Sequence, residues 1–120
     1  MTLRSLLIAG LLGLALVGVS AVASASPERR VVVVVDASAS PAVLAEAEAA
    51  VAASHGEATL RVPRTATEQL SVTHYFAAKG YDAIIGVGLD DRVAVAPVAA
   101  KYPHTRFLAA RPGHVARTLG

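Results

Sequence analysis

Two clusters of carboxylates and hydroxyls stand where this chain could do chemistry. Asp36 closes a run of five valines and is followed by Ser38 and Ser40, which places a carboxylate and two hydroxyls just ahead of a helix start. Asp90 and Asp91 follow Gly86-Val87-Gly88 in the same way, after a second apolar run. Carboxylates in such places can accept hydrogen bonds from a ligand hydroxyl or amine, and a helix N-terminus flanked by Ser38 and Ser40 can favour an anion. Each residue also has a purely structural role open to it. Asp36 can cap its own turn, Ser40 can cap the first helix, and Asp90 and Asp91 can cap a later one. The ligand-binding residues assigned from the sequence are Asp36, Ser38, Gly88 and Asp90.

Other chemistries lack support. His55, His74, His104 and His114 have no metal-ligand spacing, and the chain contains no cysteine, so thiolate metal sites, disulfides and Cys nucleophiles are excluded. A Ser-His-Asp set can be drawn from Ser40, His74 and Asp36, but no strained nucleophile elbow supports it; His74 reads as a partly buried helix residue. Gly86-Val87-Gly88 lacks the third glycine of the dinucleotide fingerprint, and no acidic residue ends a following strand to bind a ribose. No catalytic residue, metal or cofactor is assigned.

The elements that must hold these residues alternate between apolar runs and amphipathic stretches, the pattern of parallel βαβ construction. Val31 to Val35 are β-branched at every position, which suits a strand buried on both faces. Ser40 and Pro41 form a strong helix start. That helix is predicted to run to about Ser54, with Gly56 as its stop and Ala42, Leu44, Ala45, Val51 and Ala52 on its inner face. A second strand is predicted over 58–62. Thr65 and Glu68 then form a capping box for a helix that places Leu70, Thr73 or His74, and Ala77 on one face and ends at Gly80. A third strand over 82–87, a helix over 91–102 kinked at Pro97, and a fourth strand over 106–109 complete the pattern. The tail from His114 to Leu119 reads as a possible fifth edge strand.

Crossover rules turn this order into an α/β, three-layer αβα fold: a Rossmann/flavodoxin-like parallel sheet of order 2-1-3-4, with the fifth strand beyond strand four. Ligands in such sheets bind beyond the carboxyl ends of the strands, where the order reverses. Asp36 to Ser40 and Gly86 to Asp91 share that edge, with Ala110 to Gly113 contributing from strand four.

The first 25 residues read as a signal peptide. Met1 to Arg4 is a basic head, Leu6 to Val22 is apolar, and Ala23-Ser24-Ala25 is a small-x-small cleavage pattern. The mature start is expected at Ser26, with residues 26–30 as linker and 31–120 as a single folded unit. An uncleaved membrane anchor is the alternative, and either way the folded part is expected outside the cytoplasm. Eleven Lys and Arg face nine Asp and Glu, near balance once Arg4 leaves with the leader. No basic stripe suits nucleic acid.

Gly80-Tyr81-Asp82-Ala83-Ile84-Ile85-Gly86-Val87-Gly88, followed by Val93 to Pro103 and Thr105-Arg106-Phe107, resembles a run late in the first lobe of the basic membrane protein (PnrA-like) family of ABC-transporter substrate-binding proteins. The resemblance implies half of a class I periplasmic-binding-protein architecture, truncated to one lobe. It also implies capture of a nucleoside or similar small polar solute for an ABC permease. Asp36 matches the family's first Asp. The family's base-stacking Phe falls on Ala45, the neighbouring Asn on Glu46, and the sugar-side Asp on Arg111, and the lipidated cysteine that usually anchors the family is missing. A one-lobe descendant that serves as an interaction or sensing module, dimerising to recreate a cleft, is the alternative.

Overall fold

Val32 to Val35 are wholly inaccessible to solvent and Val31 nearly so, as five successive β-branched residues in the middle of a parallel sheet require. A computed structural model describes residues 29–54 and 57–119; the expected leader, Ser26, His55 and the Gly56 helix stop lie outside them. The valines form strand β1 (Arg30–Val35). Helix α1 (Pro41–Ala53), strand β2 (Glu57–Arg61), helix α2 (Ala66–Ala78) and strand β3 (Ala83–Val87) follow. A π-helical turn (Asp91–Val95) leads into α3 (Ala96–Lys101), then β4 (Arg106–Ala109) and a short helix α4 (Val115–Leu119).

The sheet is wholly parallel, in the order β2-β1-β3-β4. Val33 is in register with Leu60 on one side and Ile85 on the other, and Ile85 with Leu108. Period-two alternation divides the core between the two faces. Val31, Val33, Val35, Ile85 and Val87 pack with Ala47 and Ala50 of α1 and Val115 of α4. Val32, Val34 and Ile84 pack with Phe76 and Ala77 of α2 and Val98 of α3. This is the three-layer αβα arrangement expected from the sequence, with a Rossmann/flavodoxin-like strand order.

The helix boundaries follow from local chemistry. Ser40 Oγ accepts from the Val43 amide at 3.3 Å, with Pro41 at the first helical position, where its missing N–H costs nothing. Thr65 Oγ1 accepts from the Glu68 amide at 3.1 Å. Glu68 reaches one residue further back than a capping box requires, accepting from the Arg64 amide at 2.8 Å. Helix α2 ends in a Schellman motif: Gly80 N–H donates to the Ala77 carbonyl and Tyr81 N–H to that of Phe76, with Gly80 at φ +84°.

Three expectations need correction. The tail is helix α4, not a fifth strand. Val115 is buried against α1, and Glu46 of α1 accepts from the Gly113 amide at 2.7 Å and the Val115 amide at 3.1 Å, so a carboxylate satisfies the open amides that start a helix. The inner stripe of α1 is Val43, Ala47, Ala50 and Val51, whereas Ala42, Ala45 and Ala52 are exposed. Alanine lies all round this helix, so its periodicity carries little phase information. Finally, the helix predicted over 91–102 takes up Pro97 through the π-helical turn ahead of it. Ala96 N–H donates to the Asp91 carbonyl five residues back, and Pro97 falls in the first turn of α3, where no amide is needed.

The corrected phase of α1 is testable by overpacking. Ala47→Leu should destabilise the domain by about 1–3 kcal/mol, and Ala45→Leu by no more than about 0.5 kcal/mol, compared by urea denaturation. The reverse order would return the helix to the phase predicted from sequence.

Candidate functional site

The β1-to-α1 turn is built on the Asp36 side chain. One carboxylate oxygen, Oδ2, accepts from the Ser38 amide at 3.2 Å and from the Ser38 hydroxyl, and the Ala39 amide donates to the Asp36 carbonyl at 2.9 Å. Such an Asx-type turn fixes the chain between strand and helix. The Asp36 amide donates to the Val87 carbonyl at 3.0 Å, binding the ends of β1 and β3 together. Gly88 comes next, at φ +77°, and a Cβ there would lie 3.4 Å from that of Asp36. A side chain at Gly88 would be strained by the backbone angle.

Gln69 joins the two turns. It sits on the inner face of α2 and is only 5% exposed. Its Nε2 donates to Asp36 Oδ1 at 2.9 Å, and its Oε1 accepts from the Asp90 amide at 2.9 Å. One buried amide thus satisfies a strand-end carboxylate and a turn amide twenty-one residues away in sequence. Asp90 caps the π-helical turn, its Oδ1 accepting from the Arg92 and Val93 amides at 3.0 and 3.1 Å. Asp36, Ser38, Gly88 and Asp90 therefore stand together at the carboxyl edge, as predicted. The structural roles proposed for Asp36, Ser40 and Asp90 are all present in the geometry.

Hydrogen bonds set the charge state of this corner. The Ser38 hydroxyl holds the Asp36 carboxyl below its ordinary value of 3.8, opposed by desolvation and assisted by the Ser38 amide, Gln69 and the Ala37 amide.

Next to this corner, between the carboxyl ends of β3 and β4, is a cleft of about 240 Å³. Leu89, Val95, Phe107 and Ile84 give it apolar walls, and Asp91 is the one carboxylate in its lining. Gly86 lines the cleft, and a Cβ there would lie 2.8 Å from Leu89 Cδ1, so a side chain would push the tip of Leu89 from its place over β3. On the far side of α2, His74 faces Tyr102 Oη at 3.3 Å, with the rings edge-on. Its partner is thus a tyrosine of the α3 end, and no Ser40-His74-Asp36 relay is assembled. Arg111 is exposed after β4, and Ala45 is exposed on the outer side of α1. Among the described residues, no group of three or more His, Cys, Asp or Glu could hold a metal ion.

Gln69 is the site residue that reading the sequence missed. Its signal was the spacing Gln69, Thr73, Phe76, Ala77, a buried helical stripe that begins with a polar residue. A buried amide on such a stripe needs partners, and the loops at the carboxyl edge are the nearest source. No protein-family model matches the chain, and neither a curated protein nor a solved structure shows significant similarity to it.

Two outcomes test this corner. Gln69→Leu leaves the Asp90 amide and Asp36 Oδ1 without their partner and should cost about 1–3 kcal/mol, read by denaturant unfolding. Because the folded Asp36 carboxyl titrates below its unfolded value of about 3.9, its stabilisation is complete above that pH and lost as pH falls through the folded value. The stability gap between wild type and Asp36→Asn should therefore be constant near neutrality and narrow below about pH 4. A gap that stays constant or widens on acidification would show that the carboxylate is not stabilised by this turn.

Proposed function

We propose that this chain is a solute-binding lobe of the PnrA-like kind, working outside the cytoplasm, and that a small polar solute of nucleoside type enters the cleft between β3 and β4. The observation that supports this most directly is the cleft itself. It lies at the carboxyl edge where open α/β sheets take ligands, with apolar walls at Leu89, Val95 and Phe107 and the Asp91 carboxylate in its lining. Apolar walls with a few polar groups suit a flat ring that carries hydroxyls or amines. The role is binding, with an ABC permease as the downstream partner, and no catalytic step is part of it.

At about 240 Å³ the cleft is smaller than the roughly 300–1,000 Å³ typical of sites that bury a whole small-molecule ligand. It suits one face of the solute, so a second surface would have to close over the rest. A second lobe supplies that surface in the transport reading. In the alternative, an interaction or sensing module, a second copy or a protein partner supplies it. The edge position of β4 favours that alternative: Arg106 and Ala110 donate to β3, so by the alternation of a parallel ladder the Phe107 and Ala109 amides point outward.

A thermal-shift series with nucleosides and free nucleobases separates these readings. A solute at ten times its Kd adds about 1.4 kcal/mol, or roughly 6–11 °C in Tm for a domain of this size. Asp91→Ala should reduce the shift, measured against the variant's own ligand-free Tm. If no nucleoside moves Tm at millimolar concentration while the chain self-associates in sedimentation velocity, transport gives way to the interaction reading.

A further inference from the structure

The opposite edge of the sheet, where the strands begin, gathers a different set of residues. Arg30 opens β1, Glu57 opens β2, Asp82 precedes β3 and Arg106 opens β4. The turns that feed this edge carry Lys79, Gly80 and Tyr81 after α2, and Lys101, Tyr102, Pro103 and His104 after α3. Lys79 and Lys101 are the chain's two lysines, and Tyr75, Tyr81 and Tyr102 are its three tyrosines. All five lie on or beside this one edge. Lys79, Lys101, His104 and Arg106 are exposed, and Tyr75 is 53% exposed.

The cations and rings are arranged as pairs. Arg30 lies 4.4 Å from the centroid of Tyr81, Lys79 lies 5.4 Å from that of Tyr75, and Lys101 lies 5.8 Å from that of Tyr102. Asp82 accepts from the Arg30 amide through Oδ2 at 2.8 Å, so it is tied into the sheet margin. Between the two turns lies a shallow hollow of about 350 Å³, lined by Tyr81, Asp82, Lys101, Tyr102, His104 and Thr105 among others, so a carboxylate forms part of its wall.

We propose that this edge docks on an anionic phospholipid surface through the exposed cations Lys79, Lys101 and Arg106. Charge complementarity supports it: Lys79, Lys101, His104 and Arg106 are exposed, and the exposed ring of Tyr75 beside Lys79 has the apolar body and polar tip that suit the headgroup layer. Where the chain enters the fold supports it too. The apolar stretch from Leu6 to Val22 connects through a short segment to Arg29 and Arg30, so the sequence that addresses a membrane joins the fold at this same edge. Docked this way, the domain turns its carboxyl edge, with the β3–β4 cleft, away from the lipid. The inference does not depend on which solute the cleft takes.

Tyrosine emission reports on this edge alone, because the chain has three tyrosines and no tryptophan. The full chain, leader included, is bound to vesicles of phosphatidylcholine, or of phosphatidylcholine mixed with phosphatidylglycerol, each carrying a nitroxide on the headgroup. The leader can enter both kinds of vesicle; only docking of the edge brings the tyrosines to the nitroxide. Quenching should be marked on the phosphatidylglycerol vesicles, weak on phosphatidylcholine, and reversed by high salt. Each cation near an anionic surface favours docking about fivefold. Lys79→Gln with Lys101→Gln should therefore weaken it on the order of twentyfold, whereas Arg92→Gln with Arg111→Gln at the opposite edge should leave it unchanged. Equal quenching on both vesicles, insensitivity to salt, or equal loss in the two double variants would overturn the proposal.

Discussion

Five consecutive valines force the architecture. In a strand the side chains alternate between faces, so Val31 to Val35 present apolar surface on both sides and neither side can be left to water. Each fully buried valine is worth roughly 1.5–3 kcal/mol relative to exposure, and that gain is realised only if helices cover both faces. The chain supplies α1 and α4 for one face and α2 and α3 for the other. Parallel pairing on both sides of β1 follows, because each return crosses by a helix and brings the next strand back in the same direction. Since every strand then points the same way, all the strand-to-helix turns gather at one edge and all the helix-to-strand turns at the other.

Polar order at the carboxyl edge depends on a single buried amide. Strand ends and turns expose N–H and C=O groups that must find partners, and here Gln69 reaches from α2 to the end of β1 and the turn after β3 at once. Its orientation is dictated by chemistry: the NH₂ must face the acceptor-only carboxylate of Asp36, which leaves the carbonyl for the Asp90 amide. Thr73, one turn further along the same stripe, donates its hydroxyl to the Ala94 carbonyl at 2.7 Å within the π-helical turn. Helix α2 thereby holds both the turn that starts the irregular helix and a carbonyl inside it. The cleft beside β4 owes its shape to that hold and to the missing side chain of Gly86.

The parts of this design legible in the sequence were those with strong local signals. The valine run, Ser40-Pro41, Thr65 with Glu68, and Gly80 each have one dominant physical reading, and together they give the strand order and the first two helix starts. Positions set by weak or distant signals were not legible. The phase of α1 was not, because exposed and buried alanines look alike in sequence. Helix α4 was not, because its start is completed by Glu46, nearly seventy residues earlier. Glu46 stood where the resembled family carries a ligand-side asparagine, and nothing local marked it as a cap. Asp36, Ser38, Gly88 and Asp90 were placed together correctly because the edge rule for parallel sheets needs only strand ends. Gln69 escaped because its role exists only once β1, β3 and α2 are assembled.

The two edges of the sheet differ in charge for a reason that begins with the helices. At the carboxyl edge helices start, and their partial positive ends favour Asp36, Glu68, Asp90 and Asp91; at the amino edge helices stop, which favours Lys79 and Lys101. Dipole complementarity accounts for those residues without any partner. Tyr81 and Tyr102 are accounted for by packing, Tyr81 on Phe76 as the apolar contact of the Schellman motif and Tyr102 on His74, but neither dipoles nor packing account for exposed Arg106 at the start of β4. Exposed Arg106 is therefore the part of the charge asymmetry that helix ends leave unexplained, and it lies at the edge where β1 and β4 both begin.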